Sequence, residues 1–90
     1  MRKLGTNERR DHSYRLVVGD HVGVLNRITG YIRRNGWNIR RMRVEPLEQG
    51  GQTEIWMQLP LYAMEAEKLE QRMHDWNFIF EVGKEGGTRQ

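Results

Sequence analysis

Tyr14-Arg15-Leu16-Val17-Val18-Gly19-Asp20-His21-Val22-Gly23-Val24-Leu25-Asn26-Arg27-Ile28 carries the change of period that decides the fold. From Tyr14 to Val18 the side chains alternate, with Leu16 and Val18 on one face and Arg15 and Val17 on the other, which is the two-residue period of a short strand. After the loop Gly19 to Gly23 the period lengthens. Val24, Leu25, Ile28, Tyr31 and Ile32 fall on one helical stripe, and Asn26, Arg27, Arg33 and Arg34 lie opposite. The helix ends at Asn35-Gly36, because glycine can take the left-handed conformation that closes a helix without a Cβ clash.

Outward from this unit the pattern repeats with a hairpin inserted. Ile39 to Pro46 alternates, with Arg40, Met42 and Val44 on one face and Ile39, Arg41, Arg43 and Glu45 on the other. Gln49-Gly50-Gly51-Gln52 is a turn signal, and Thr53 to Leu59 then sets Ile55, Met57 and Leu59 against Glu54, Trp56 and Gln58. Pro60 is expected to stop this third strand. From Ala63 or Met64 to Asp75 a second helix is marked by Ala66, Leu69, Met73 and Trp76, and Phe78 to Val82 forms the last strand. The order β-α-β-β-α-β predicts an α+β, ferredoxin-like fold with two helices on one face of a four-stranded antiparallel sheet. Residues 1–13 read as a flexible polar leader, 14–83 as the domain and 84–90 as a flexible tail. The uncovered sheet face would carry Arg15, Val17, Arg41, Arg43, Trp56 and Gln58. An exposed Trp there suggests protein contact, although a tolerated surface Trp accounts for it equally well.

Composition sets outer bounds. Ninety residues make one small domain, and 37% hydrophobic residues with three Trp, three Tyr and two Phe build only a thin core. Without cysteine there is neither a disulfide framework nor a thiolate zinc site, and no apolar run is long enough for a membrane span. A soluble cytoplasmic chain with no membrane association is expected. The net charge of +3 comes from fifteen Lys and Arg against twelve acids. Arg33, Arg34, Arg40, Arg41 and Arg43 cluster mid-chain, whereas Glu65, Glu67, Glu70 and Asp75 follow later. This reads as a solvated basic edge or a surface for an acidic protein partner rather than a nucleic-acid face.

Enzymatic chemistry needs a nucleophile with its base, a metal, or a spaced pair of carboxylates. No such set is legible. His12, His21 and His74 stand apart, without a partner at metal-ligand spacing, so no metal is expected. Glu65, Glu67 and Glu70 fit a solvated helix face. The loop Gly19 to Gly23 is the exception. It runs into a helix start, whose unpaired N–H groups and partial positive charge can hold a carboxylate, and Gly23 permits close approach. Asp20 can cap the helix or bind an ammonium group. On these residues alone, a plain capping turn and a ligand loop both remain open.

Asp20 three residues before Gly23, then Val24-Leu25, the basic Arg27, and later Gly36-Trp37-Asn38-Ile39 resemble the signature of the ACT domain. The resemblance covers roughly Tyr14 to Gly83. Arg34 to Ile39 and Ile55-Trp56-Met57 are most similar to the small regulatory subunits of acetohydroxyacid synthase, in their short single-domain form. The resemblance implies a homodimer whose sheets join side by side. It also implies a feedback amino acid, valine especially, held where the first loop of one protomer meets the start of the second strand of its neighbour. The positions implicated are Asp20, His21, Val22, Gly23, Val24, Leu25, Asn38 and Ile39. The chain would then be a non-catalytic subunit of branched-chain amino-acid biosynthesis without cofactors, because thiamine diphosphate, magnesium and FAD belong to the catalytic subunit. These subunits usually have Asn at position 20 and often Pro at 22. Asp20 could bind an ammonium group but would repel an adjacent carboxylate.

Two other functions fit the same element order. A stand-alone ACT domain could serve another amino-acid-responsive regulator. An RNA-recognition module would need aromatics on the two central strands to stack bases, and here only Tyr14 and Trp56 are candidates.

Overall fold

The computed structural model describes residues 8–19, 22–48 and 50–85. The chain forms β1 (Arg10–Gly19), α1 (Val22–Arg34), β2 (Arg41–Pro46), β3 (Gln52–Leu61), α2 (Ala63–Asp75) and β4 (Ile79–Glu85). The strands make one antiparallel sheet in the order β2-β3-β1-β4, the ferredoxin-like α+β arrangement expected from the sequence.

With β1 and β3 in the centre, their inward side chains meet both helices. Tyr14, Leu16 and Val18 of β1 and Ile55, Met57, Leu59 and Leu61 of β3 join Val24, Ile28 and Ile32 of α1 and Ala66, Leu69 and Met73 of α2 in one core. Leu16, Ile28, Leu59, Leu61 and Leu69 have no exposed surface. Each such side chain contributes about 1.5–3 kcal/mol by leaving water. Among the described residues no helix is long and apolar enough to cross a membrane.

The central strands outrun their sequence signals. β1 begins at Arg10, not Tyr14, because Arg10 to Ser13 pair with Gln58 to Leu61. Asp11 adds an ion pair to Arg40 at 3.1 Å, and Ser13 accepts a hydrogen bond from the Gln58 amide at 3.2 Å. Pairing with a distant strand here overrides the low β-propensity of a charged stretch. Residues 10–13, read as part of the leader, are therefore paired. Pro60 does not end β3, which continues to Leu61 with Pro60 opposite Asp11. The backbone of Gln58 faces β2, its carbonyl accepting from Arg40 N–H at 2.7 Å, and two residues on the backbone of Pro60 faces the same way. Since β2 starts only at Arg41, opposite Gln58, no neighbour there needs the N–H that proline lacks. The last strand runs from Ile79 rather than Phe78 and reaches Glu85, with a register shift opposite Val17 and Val18.

Helix α1 closes as its sequence predicts. Gly36 has φ of 77°, its N–H donates to Arg33 O at 2.9 Å, and Trp37 N–H donates to Ile32 O at 3.1 Å. This pair of bonds is the Schellman arrangement. It satisfies two terminal carbonyls and turns Trp37 into the core, where it is 8% exposed. The second strand is shorter than expected, since Ile39 precedes it and packs, half-buried, against the core. At the start of α2 the Tyr62 N–H donates to Glu65 Oε1 at 2.9 Å, a contact that orders the first turn.

Candidate functional site

The candidate ligand loop leads into the first turn of α1, which begins at Val22. The N–H groups of that turn have no partner within the helix and carry its partial positive charge, and the turn contains no acidic residue that would occupy it. Gly23 is exposed, and a Cβ added there would meet nothing within 4 Å. Among the described residues, nothing crowds the Gly23 backbone. Val24 is different, since its side chain is 6% exposed and belongs to the core, so only its backbone can face a ligand. Leu25 packs half-buried against the same core. Asp20 and His21 lie outside the described residues, as does the side chain of Val22.

Asn38 and Ile39 sit at the other end of α1. Because the Schellman turn commits Trp37 inward, edge-on to Tyr31 with ring centroids 5.9 Å apart, the next residue points out, and Asn38 is exposed. Asn38 lines a cavity of about 240 Å³ together with Thr29, Ile32, Arg33, Trp37 and Ile39. From Gly23 to Arg33 the helix rises about 15 Å at 1.5 Å per residue, longer than a branched-chain amino acid. Within one chain, therefore, the structure does not bring Gly23 and Asn38 together.

The uncovered sheet face is more acidic than the basic and apolar mixture expected. Strand register sets Arg43, Trp56, Arg15 and Gly83 in one row across the sheet, and Glu45, Glu54, Val17 and Glu81 in the next. Adjacent rows of opposite charge neutralise each other. Arg15 pairs with Glu54 and, at 3.4 Å, with Glu81, while Arg43 approaches Glu45 at 3.8 Å. The Arg15 guanidinium, and after it the Trp56 indole N–H, hold the Glu54 carboxyl below its usual range. The residues expected on this face included no glutamate, although Glu45 and Glu54 alternate to the outward side of their strands. Glu81 joins them only through the pairing of β4 with β1.

Trp56 is not an exposed anchor. It is half-buried, with the Arg43 guanidinium 5.5 Å from its ring centroid. Beside it a depression of about 340 Å³ is lined by Ser13, Arg41, Arg43, Trp56 and Gln58 among others. Tyr14 lies on the helix-covered face with no exposed surface, so it cannot stack a nucleobase, which removes one of the two aromatics of the RNA reading.

Comparison with known proteins agrees with the fold. The family described as AHAS small subunit-like ACT domain matches residues 15–77. Acetolactate synthase small subunit 2, chloroplastic, of Arabidopsis thaliana is 43% identical over 51 residues, 57% of this chain and 11% of that protein. Acetolactate synthase small subunit 1, chloroplastic, of Nicotiana plumbaginifolia is 34% identical over 77 residues, 86% of this chain and 17% of that protein. The chain thus spans less than one fifth of the length of these relatives. Among solved structures, the acetolactate synthase small subunit of Thermotoga maritima superposes with a TM-score of 0.72 at 20% identity, covering 83% of this chain and 47% of that one. At that identity the likeness is one of fold.

Proposed function

Because the chain belongs to the family of AHAS small subunit-like ACT domains, we propose that it is a non-catalytic regulatory subunit of acetohydroxyacid synthase. In this reading the domain built from β1 to β4, residues 10–85, is the regulatory domain. Two copies pair, bind the catalytic subunit, raise its activity and pass on inhibition by a branched-chain amino acid, valine first. The chemistry, with its thiamine diphosphate, is carried by the catalytic subunit.

The observation that supports this reading most is the separation of Gly23 from Asn38 along α1. An open helix N-terminus suits a carboxylate. A side-chain amide suits the polar end of an amino acid from the opposite side. A ligand can meet both groups only if the first turn of one copy faces the Asn38 end of another, so the site and the dimer are one hypothesis.

The test is reconstitution. The purified chain alone should show no acetolactate formation. Added to the catalytic subunit it should raise turnover and make it sensitive to valine. Turnover by the chain alone, or an unchanged rate and valine response in the mixture, overturns the reading.

A further inference from the structure

A second feature lies on the helical side of the molecule, away from the open sheet face, and begins one helical turn beyond Gly23. On α1, Arg27, Tyr31 and Arg34 recur at helical spacing along one stripe, and opposite them stand Arg72 in the last turn of α2 and Trp76, which caps that helix. They border a groove of about 410 Å³ lined by Asn26, Arg27, Tyr31, Arg34, Arg72 and Trp76.

Two of its lining residues, Tyr31 and Trp76, are aromatic. Tyr31 meets Trp76 edge-on at 5.4 Å between centroids, and Trp76 stacks on Phe78 at 5.2 Å. The guanidinium of Arg72 lies 5.2 Å from the Tyr31 centroid, and that of Arg27 lies 5.2 Å from the Phe78 centroid. A guanidinium resting on a ring is held in orientation while its N–H edges stay free to donate. These two arginines are therefore partly ordered before any anion arrives.

Among the described residues their charges meet no carboxylate. Arg15 pairs with Glu54 and Glu81, Arg40 with Asp11, Arg43 with Glu45, and Lys84 with Glu70. Among the described residues, Arg27, Arg34 and Arg72 have no carboxylate within ion-pair distance. Arg34 and Arg72 stand in the last turns of their helices, where a cation is favoured by the helix dipole. Arg27 stands in the first half of α1, where the dipole gives it no such support.

We propose that this groove docks an acidic segment of a protein partner, a stretch bearing two or more carboxylates, on the catalytic subunit. The proposal rests on the regulatory-subunit reading. All three arginines are exposed, and the groove lies open across two helices. A chain segment can span it and present carboxylates to several guanidiniums at once. On the open sheet face Arg15 and Arg43 already have glutamates beside them, and only Arg41 is left without one among the described residues.

The experiment is calorimetric titration of the catalytic subunit with the full chain at low and high salt, comparing the parent with Arg27→Glu/Arg72→Glu and with Arg41→Glu/Arg43→Glu on the open face. Expected is a loss of at least tenfold in affinity for the helix variant, less than threefold for the sheet variant, and weakening of the parent by salt. Should the double variant fail to fold by circular dichroism, Arg34→Glu, which leaves both stacked guanidiniums in place, carries the same expectation. Affinity within twofold of the parent in the folded helix variant overturns the docking site and leaves the regulatory reading standing. No binding by the parent overturns both. Parent binding to vesicles of anionic phospholipid or to a short single-stranded RNA, lost in the helix variant while binding to the catalytic subunit persists, assigns the groove to that occupant and also overturns the proposal.

Discussion

The phenol of Tyr14, on the central strand β1 and wholly inside the core, donates a hydrogen bond of 2.7 Å to Glu70 Oε2 on α2. Lys84 of β4 reaches the same oxygen at 3.4 Å. One carboxylate thus ties the second helix to two strands of the sheet, and Tyr14 serves as a strut rather than a stacking platform.

Tyr14→Phe should cost about 1.5–3 kcal/mol, the value of a hydrogen bond to a charged group. Burial first, and then the bond to Glu70, push the Tyr14 phenol far above its ordinary 10.0. A folded-state value raised above the unfolded one gives stability that is complete below about pH 10 and lost as pH rises beyond it. Urea melts should therefore separate parent from variant at pH 7, and the gap should narrow in strong alkali.

Glu54→Gln should flatten the acid limb of the stability profile. The Glu54 carboxyl is lowered from 4.5 by Arg15 and Trp56, so its contribution is present above pH 4.5 and is lost as pH falls through the lower folded-state value. Thermal melts from pH 7 down to pH 3 should show the parent losing more of its melting temperature than the variant. Parallel curves would remove Glu54 from the acid response.

Gly23→Asp should abolish valine inhibition of the reconstituted enzyme while the melting temperature stays within a few degrees. The added side chain enters open space, so folding is spared. Its negative charge occupies the helix N-terminus that a ligand carboxylate would use. Unchanged inhibition with a folded variant would exclude this turn from the site.

Mixing Gly23→Asp chains with Asn38→Ala chains should restore valine binding that neither shows alone. If each site takes its helix start from one protomer and its Asn38 from the partner, a mixed dimer holds one doubly altered site and one intact site. Calorimetry should then find about one site per mixed dimer. A site confined to one chain predicts no recovery, because every chain in the mixture carries a lesion.

Element order, the covered sheet face and the glycine cap at Gly36 were all legible in the residues, because each rests on contacts close in sequence: alternation within five residues of β1, a helical stripe from Val24 to Ile32, a turn at Gly50-Gly51. So was the ligand turn as a candidate, since a glycine at a helix start has the same chemistry wherever the helix packs. The ends of β1 and β3 were not legible. Whether Arg10 pairs and whether Pro60 interrupts depends on a strand some fifty residues away and on where β2 stops.

The sequence by itself determined the order and type of the elements, and which faces are apolar, since periods of two and 3.6 residues are local and burial of apolar surface selects between them. Only the tertiary structure decided what meets across those elements. It set Glu45, Glu54 and Glu81 in one row, placed Arg27 over Phe78 and Arg72 over Tyr31, and put Gly23 and Asn38 at opposite ends of one helix. Charge pairing, ring stacking and the reach of a ligand act over a few ångströms in space, and separation along the chain does not fix those distances.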